Sequence, residues 1–204
     1  ASASLSVNPD SKDSVATLYR TVFVPDNTLE PGWTGSVAAK NPGTITLAYR
    51  QASLRRVNYY RVLCRLPAVN LDETQSAKCQ HAALMMSANT SLNHTPPDTW
   101  DCWTQDGYDA ASHANLALGA CGPKAIGLYM DDYGTGNAAV GHRRWILFPP
   151  LAKVGTGSVP SGSGFMAADA LWVVGNDGSR PESPEFVAWP SPGWFPKQNL
   201  PTLE

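Results

Sequence analysis

Glycine and proline supply 34 of the 204 residues and interrupt the chain so often that long helices are confined to a few stretches. The first is the segment around 50–65, where Leu54, Val57, Tyr60 (or Arg61) and Cys64 recur at helical spacing before Pro67 ends the run. The second covers about 72–88, with Asp72 as its expected N-cap and Glu73 in the first turn. Ala77, His81, Leu84 or Met85, and Ala88 fall on one stripe of it. A short helix running into an extended piece follows in DGYDAASHANLALG. A third clear helix lies between Pro123, near its start, and Gly134, past its end. The later segments RRWILF, KVGTGSV and GFMAADALWVVGN are short β-type runs separated by glycine-marked turns, which predicts an antiparallel meander. Helices come first and strands later, without βαβ alternation. The predicted class is therefore α+β, a small antiparallel sheet with helices packed on it.

The flanks read differently from this centre. Residues 1–49 are polar, with short β-like pieces around 18–25 and 44–49, and read as an extended N-terminal segment packed on the main domain. The main domain is expected over 50–178. Residues 179–204 form a tail in which four prolines flank two tryptophans and two phenylalanines within its last 19 residues, so neither helix nor central strand is expected there. Such a strip either binds sugar rings or packs back over the core.

Composition narrows the function classes. A hydrophobic share of 43% with 16% charged residues supports a real core. A net charge of -2 gives no electrostatic case for nucleic acid or an anionic membrane. No run approaches the ~20 apolar residues of a membrane span. The N-terminus looks like what remains after removal of a signal peptide. The four cysteines contain no Cys-x-x-Cys pair. Disulfides Cys64–Cys79 and Cys102–Cys121 are expected because sequential pairs close short loops, each contributing roughly 3 kcal/mol. Four buried thiols are the alternative. The disulfide reading places the chain in an oxidising compartment, secreted or periplasmic. Asn89-Thr90-Ser91 matches the glycosylation acceptor pattern.

All four histidines lie between positions 81 and 142. His81 sits on the stripe of the second helix and reads as a core residue. His94 is in a loop, His113 at a helix-to-extended junction, and His142 just ahead of an expected strand. Asp131 and Asp132 end the third helix only ten residues before His142. Two or three imidazoles with a carboxylate suit a divalent transition metal, zinc first, or acid–base work near neutral pH. Arg143 and Arg144 are candidates for an anionic ligand group or for a salt bridge. No Gly-x-Ser-x-Gly elbow occurs.

The ordered run of motifs RVNYYRVLCRLPAVNLDET, AKCQHAALMM, LNH, SHANLALG, AIGLYMDDYG and GHRRWILFPPLAKVGTGSV resembles the CAP superfamily of cysteine-rich secretory, antigen 5 and pathogenesis-related proteins. Secreted bacterial members are the nearest in appearance. The resemblance covers about 55–160 and implies an α-β-α sandwich with a small antiparallel sheet between helices. It also implies a cleft with two histidines and two acidic residues, sometimes holding zinc or another divalent ion. By the resemblance, the histidines are His94 and His142, which would ligate metal and, with Asp132, act in catalysis. His113, Asp131, Arg143 and Arg144 are further cleft residues. The second acidic position reads Ala114, a departure that lowers the site's negative charge. The implied function is an extracellular binding or interaction module for a glycan, cell-wall, lipid or protein ligand. The competing expectation is a metal-assisted hydrolase acting on peptide or polysaccharide. A third is a fragment processed from a longer chain.

Overall fold

The computed structural model describes residues 5–200. The chain opens on α1 (Lys12–Leu18), capped by the Ser11 side chain, and continues through a π-helical turn (Tyr19–Phe23) into α2 (Val24–Asp26). Residues 18–25, expected as β, are thus helical. Val15 and Leu18 bury themselves, and Tyr19, Val22 and Phe23 lean on the same core. The short expected strand near 44–49 is absent too, since α3 (Leu47–Leu63) already begins there, with Thr46 capping Tyr49 N–H.

Helix α3 buries residues on most of its circumference, Arg56 and Arg61 included. Arg61 donates to the carbonyls of Pro67, Ile146, Phe148 and Leu151. A buried cation is tolerable there because its N–H donors meet these main-chain carbonyls in place of water. The two-residue strand β1 (Asn70–Leu71) leads into α4 (Glu73–Asn89), with the expected cap: Asp72 Oδ1 accepts from Gln75 N at 2.9 Å. Then follow α5 (Gln105–His113), β2 (Ala114–Leu118), α6 (Pro123–Asp131), α7 (Gly141–Ile146), β3 (Lys153–Val159) and β4 (Ala168–Trp172). RRWILF is therefore mostly helix α7 and not a strand.

The sheet order is β1-β3-β4-β2. Strands β3, β4 and β2 pair antiparallel, while β1 adds in parallel with Asn70 opposite Lys153. The sheet is thus mixed at one edge, because β1 enters from between the two long helices and does not come from a hairpin. Alternate residues face opposite layers, as strand geometry requires. Ala168 and Ala170 of β4 pack with Met85, Met86 and Ala111 of α4 and α5. Leu171 packs with α3 and α6, in the cluster of Leu63, Ile126 and Met130. The result is the α-β-α sandwich of an α+β fold.

Two contacts set the layers' spacing and register. A Cβ added at Gly157 would come 2.2 Å from the backbone of Cys79, so α4 lies directly on bare strand. On the other face, Asp169 of β4 is fully buried and pins the N-terminus of α6. Its Oδ1 accepts from Gly122 N at 2.8 Å and Ser158 Oγ at 2.6 Å, and its Oδ2 accepts from Tyr129 Oη at 3.2 Å. Burial holds this carboxyl up to about 6, against the pull of those three donors.

The four cysteines are all free, which corrects the expected Cys64–Cys79 and Cys102–Cys121 disulfides. Cys64, Cys79 and Cys102 belong to three different hydrophobic clusters, and Cys121 lies against Tyr49 Oη at 3.3 Å. Burial pushes the Cys64 thiol up to about 12 and raises the other three. The proline-rich tail packs back on the core: Trp189 meets Tyr60 and Phe195 edge-on, at 5.5 and 4.9 Å between centroids.

Candidate functional site

Three elements end at one place. His94 belongs to the loop after α4, His113 is the last residue of α5, and His142 is the second residue of α7. All three line a single cavity of about 410 Å³, with Asn115, Trp145 and Val174. His142 reaches it from a helix and not from the mouth of a strand. The turn that delivers it is built from residues with left-handed φ, Asp132 at 50° and Val140 at 46°, on either side of the loop between α6 and α7.

Each imidazole is held by its Nδ1. His94 Nδ1 lies 2.8 Å from the carbonyl of Ala111. His113 Nδ1 lies 2.8 Å from the carbonyl of Asp109 and 2.9 Å from Ser112 Oγ. His142 Nδ1 lies 2.7 Å from Asp132 Oδ1. Carbonyls and carboxylates accept only, so all three rings carry a proton on Nδ1, and a neutral ring then keeps its lone pair on Nε2. Stacking fixes two of the ring planes: His113 on Trp172 (4.8 Å, 17°) and His142 on Tyr129 (5.6 Å, 23°). Main-chain contacts add to this, because Asn115 Nδ2 donates to the His142 carbonyl at 3.1 Å.

Asp132 orients His142 and does not line the cavity. Its side chain is fully buried, and Oδ2 accepts from Arg143 N at 3.2 Å. Tyr129 ties this corner to the pinned end of α6, since its hydroxyl donates among Asn115 O and the Asp169 oxygens. The other expected cleft residues lie elsewhere. Asp131 borders a separate cavity beside Arg56 and Tyr60. Arg143 closes the end of α6, donating from Nε to Met130 O at 2.7 Å and from Nη2 to Asp131 O at 2.6 Å. Arg144 is exposed and borders a neighbouring hollow. His81 is half-buried, 3.3 Å from Thr104 Oγ1, and faces a different cavity from the other histidines.

The donor set bears on a metal. Among the described residues no three His, Cys, Asp or Glu side chains stand close enough to hold an ion. Ala114 brings no donor to the wall, and both Asp132 oxygens are already engaged. The imidazoles fit in tautomer, since metal-bound histidines commonly donate their other N–H to a carboxylate or carbonyl. Trp145, Asn115, Tyr129 and Trp172 were not singled out from the sequence.

The CAP family model, described as the cysteine-rich secretory protein family, matches residues 54–176. The chain belongs to the CAP family. The match takes in both cleft histidines named by the motif resemblance, His94 and His142, and Asp132 behind them. A crystal structure of an extracellular protein containing an SCP domain, from Bacillus anthracis strain Ames, is similar at 14% identity with a TM-score of 0.40. That similarity covers 61% of this chain, which spans 40% of the length of the other. No curated protein matches the chain.

Proposed function

We propose that this CAP domain is an extracellular binding module whose ligand enters the cleft lined by His94, His113 and His142. The observation that carries the reading is that rings from three separate elements share one cavity, each fixed through Nδ1. Neutral imidazoles so held offer fixed acceptors at Nε2, suited to the hydroxyl or amide N–H donors of a glycan, a cell-wall fragment or a lipid headgroup. The family's secretory description supports an extracellular setting.

One observation favours a second reading, a metal-assisted hydrolase acting on peptide or polysaccharide. The Nδ1-anchored tautomer is the one a metal-binding histidine needs, and His94 and His142 would hold the ion. A bound zinc would supply a water whose pKa is lowered toward ~7. Asp132 would keep the His142 proton on Nδ1, and His113 would accept a proton at Nε2.

Metal analysis of protein purified without chelator separates the two. The module reading expects no stoichiometric metal and a melting temperature indifferent to added zinc. One zinc per chain, lost in the His94→Ala/His142→Ala double variant, replaces it with the hydrolase.

A further inference from the structure

The histidine cavity does not end at Trp145. A second hollow of about 440 Å³ shares Gly141, Trp145 and Val174 with it and continues to Phe148, Arg144 and Asp177. The two adjoin along these shared residues, and Trp145, 37% exposed, lines both. Phe148 meets that indole at 5.7 Å and 74°, so the second compartment has an L-shaped aromatic corner. At its margin stand a guanidinium and a carboxylate, and neither side chain has a partner among the described residues. Gly141 and Gly175 leave the floor low, with no heavy atom within 4 Å of an added Cβ.

The geometry points to a sugar-ring subsite: the second compartment holds one neutral pyranose of an oligosaccharide whose next unit lies among the histidines. This inference rests on the binding-module reading and names its ligand class. A pyranose has an apolar C–H face and a rim of hydroxyls that both donate and accept. The Trp145–Phe148 corner covers the first, and the open Asp177 and Arg144 side chains answer the two halves of the second. An acyl chain needs an enclosed apolar wall and gains nothing from two charged groups at the margin, whose desolvation it would oppose. One positive and one negative group on the same lining also give no net preference for an anionic sugar. The volume suits one ring, since small-ligand sites begin near 300 Å³.

The test uses the whole chain, ¹⁵N-labelled, titrated by NMR with chitotetraose, cellotetraose and xylotetraose to about 10 mM, a range that captures millimolar affinities. Palmitate is the parallel arm. Trp145→Phe identifies the Trp145 indole N–H signal among the seven tryptophans. The expected result is that at least one tetrasaccharide moves that signal and the His142 ring signals together. Trp145→Ala then weakens binding by up to about tenfold, the scale of one aromatic stacking contact. Arg144→Gln, at an exposed position, weakens it by a smaller factor and guards against a folding defect in the alanine variant. A tetrasaccharide that moves the His94 and His142 signals but leaves the Trp145 indole still would overturn the subsite and leave the cleft reading standing. Palmitate moving the indole while no sugar does overturns the sugar assignment alone. Silence of all cleft signals toward every probe removes both.

Discussion

Replacing Asp169 by Asn is expected to stabilise the protein at neutral pH, although it removes a fully buried carboxylate. The carboxyl is held near 6, against an ordinary 3.8, first by its burial. A folded value above the unfolded one means that the folded state binds the proton more tightly. Between about pH 4 and pH 6 the folded chain therefore carries more protons, and stability falls as pH rises. The loss is complete above about pH 6 and amounts to about 3 kcal/mol at ~1.4 kcal/mol per pH unit. The amide copies the protonated acid: its oxygen can take Ser158 Oγ–H and Gly122 N–H, while its N–H can donate to Tyr129 Oη, which keeps Asn115 O as acceptor. Urea denaturation of both proteins from about pH 4 to about pH 8 isolates this group in the difference. The variant and the wild type should nearly coincide near pH 4. The variant should lead by about 3 kcal/mol above pH 7. A difference independent of pH would show that the three donors balance burial, and one that favours the wild type increasingly as pH rises that they over-compensate it; either would refute the reasoning.

Gly157→Ala should cost about 3 kcal/mol or more, read as a lowered urea midpoint, because its Cβ would collide with helix backbone that cannot swing aside. Asp132→Asn keeps a residue type that tolerates left-handed φ but removes the acceptor-only partner of His142; ring ¹⁵N shifts should pass from one Nδ1–H tautomer to a mixture of both. Alkylation of unfolded, unreduced protein should add four labels per chain, and two or fewer would restore a disulfide.

The parts of this fold legible in the sequence are those where a local signal and the tertiary demand agree. Helix α4 is one: Asp72 caps it and no glycine or proline interrupts it. Segment 18–25 is ambiguous because five β-branched or aromatic residues in a short run satisfy either period, and the deciding contact, against Tyr59 and Tyr60 of α3, is distant in sequence. RRWILF is ambiguous in the same way, since Ile146 and Leu147 bury equally well from one turn of helix. The cysteines misled because proximity in sequence says nothing about which side of a helix meets which layer: Cys64 closes α3 and Cys79 faces the sheet from α4. For the cleft, spacing was mute about His94 and His142, and only the resemblance joined them. Arg143 could not be told from Arg144 until one was seen satisfying carbonyls at the end of α6 and the other left open.

The bare strand beneath α4 divides the molecule into what can drift and what cannot. Where Gly155 and Gly157 meet helix backbone, the smallest side chain is already too large. At Gly136 and Gly141, on the rim of the groove, an added methyl meets nothing. Substitutions that reshape the entrance are therefore free to accumulate over an interior seam that admits almost none, and one scaffold can be fitted to successive ligands without being rebuilt.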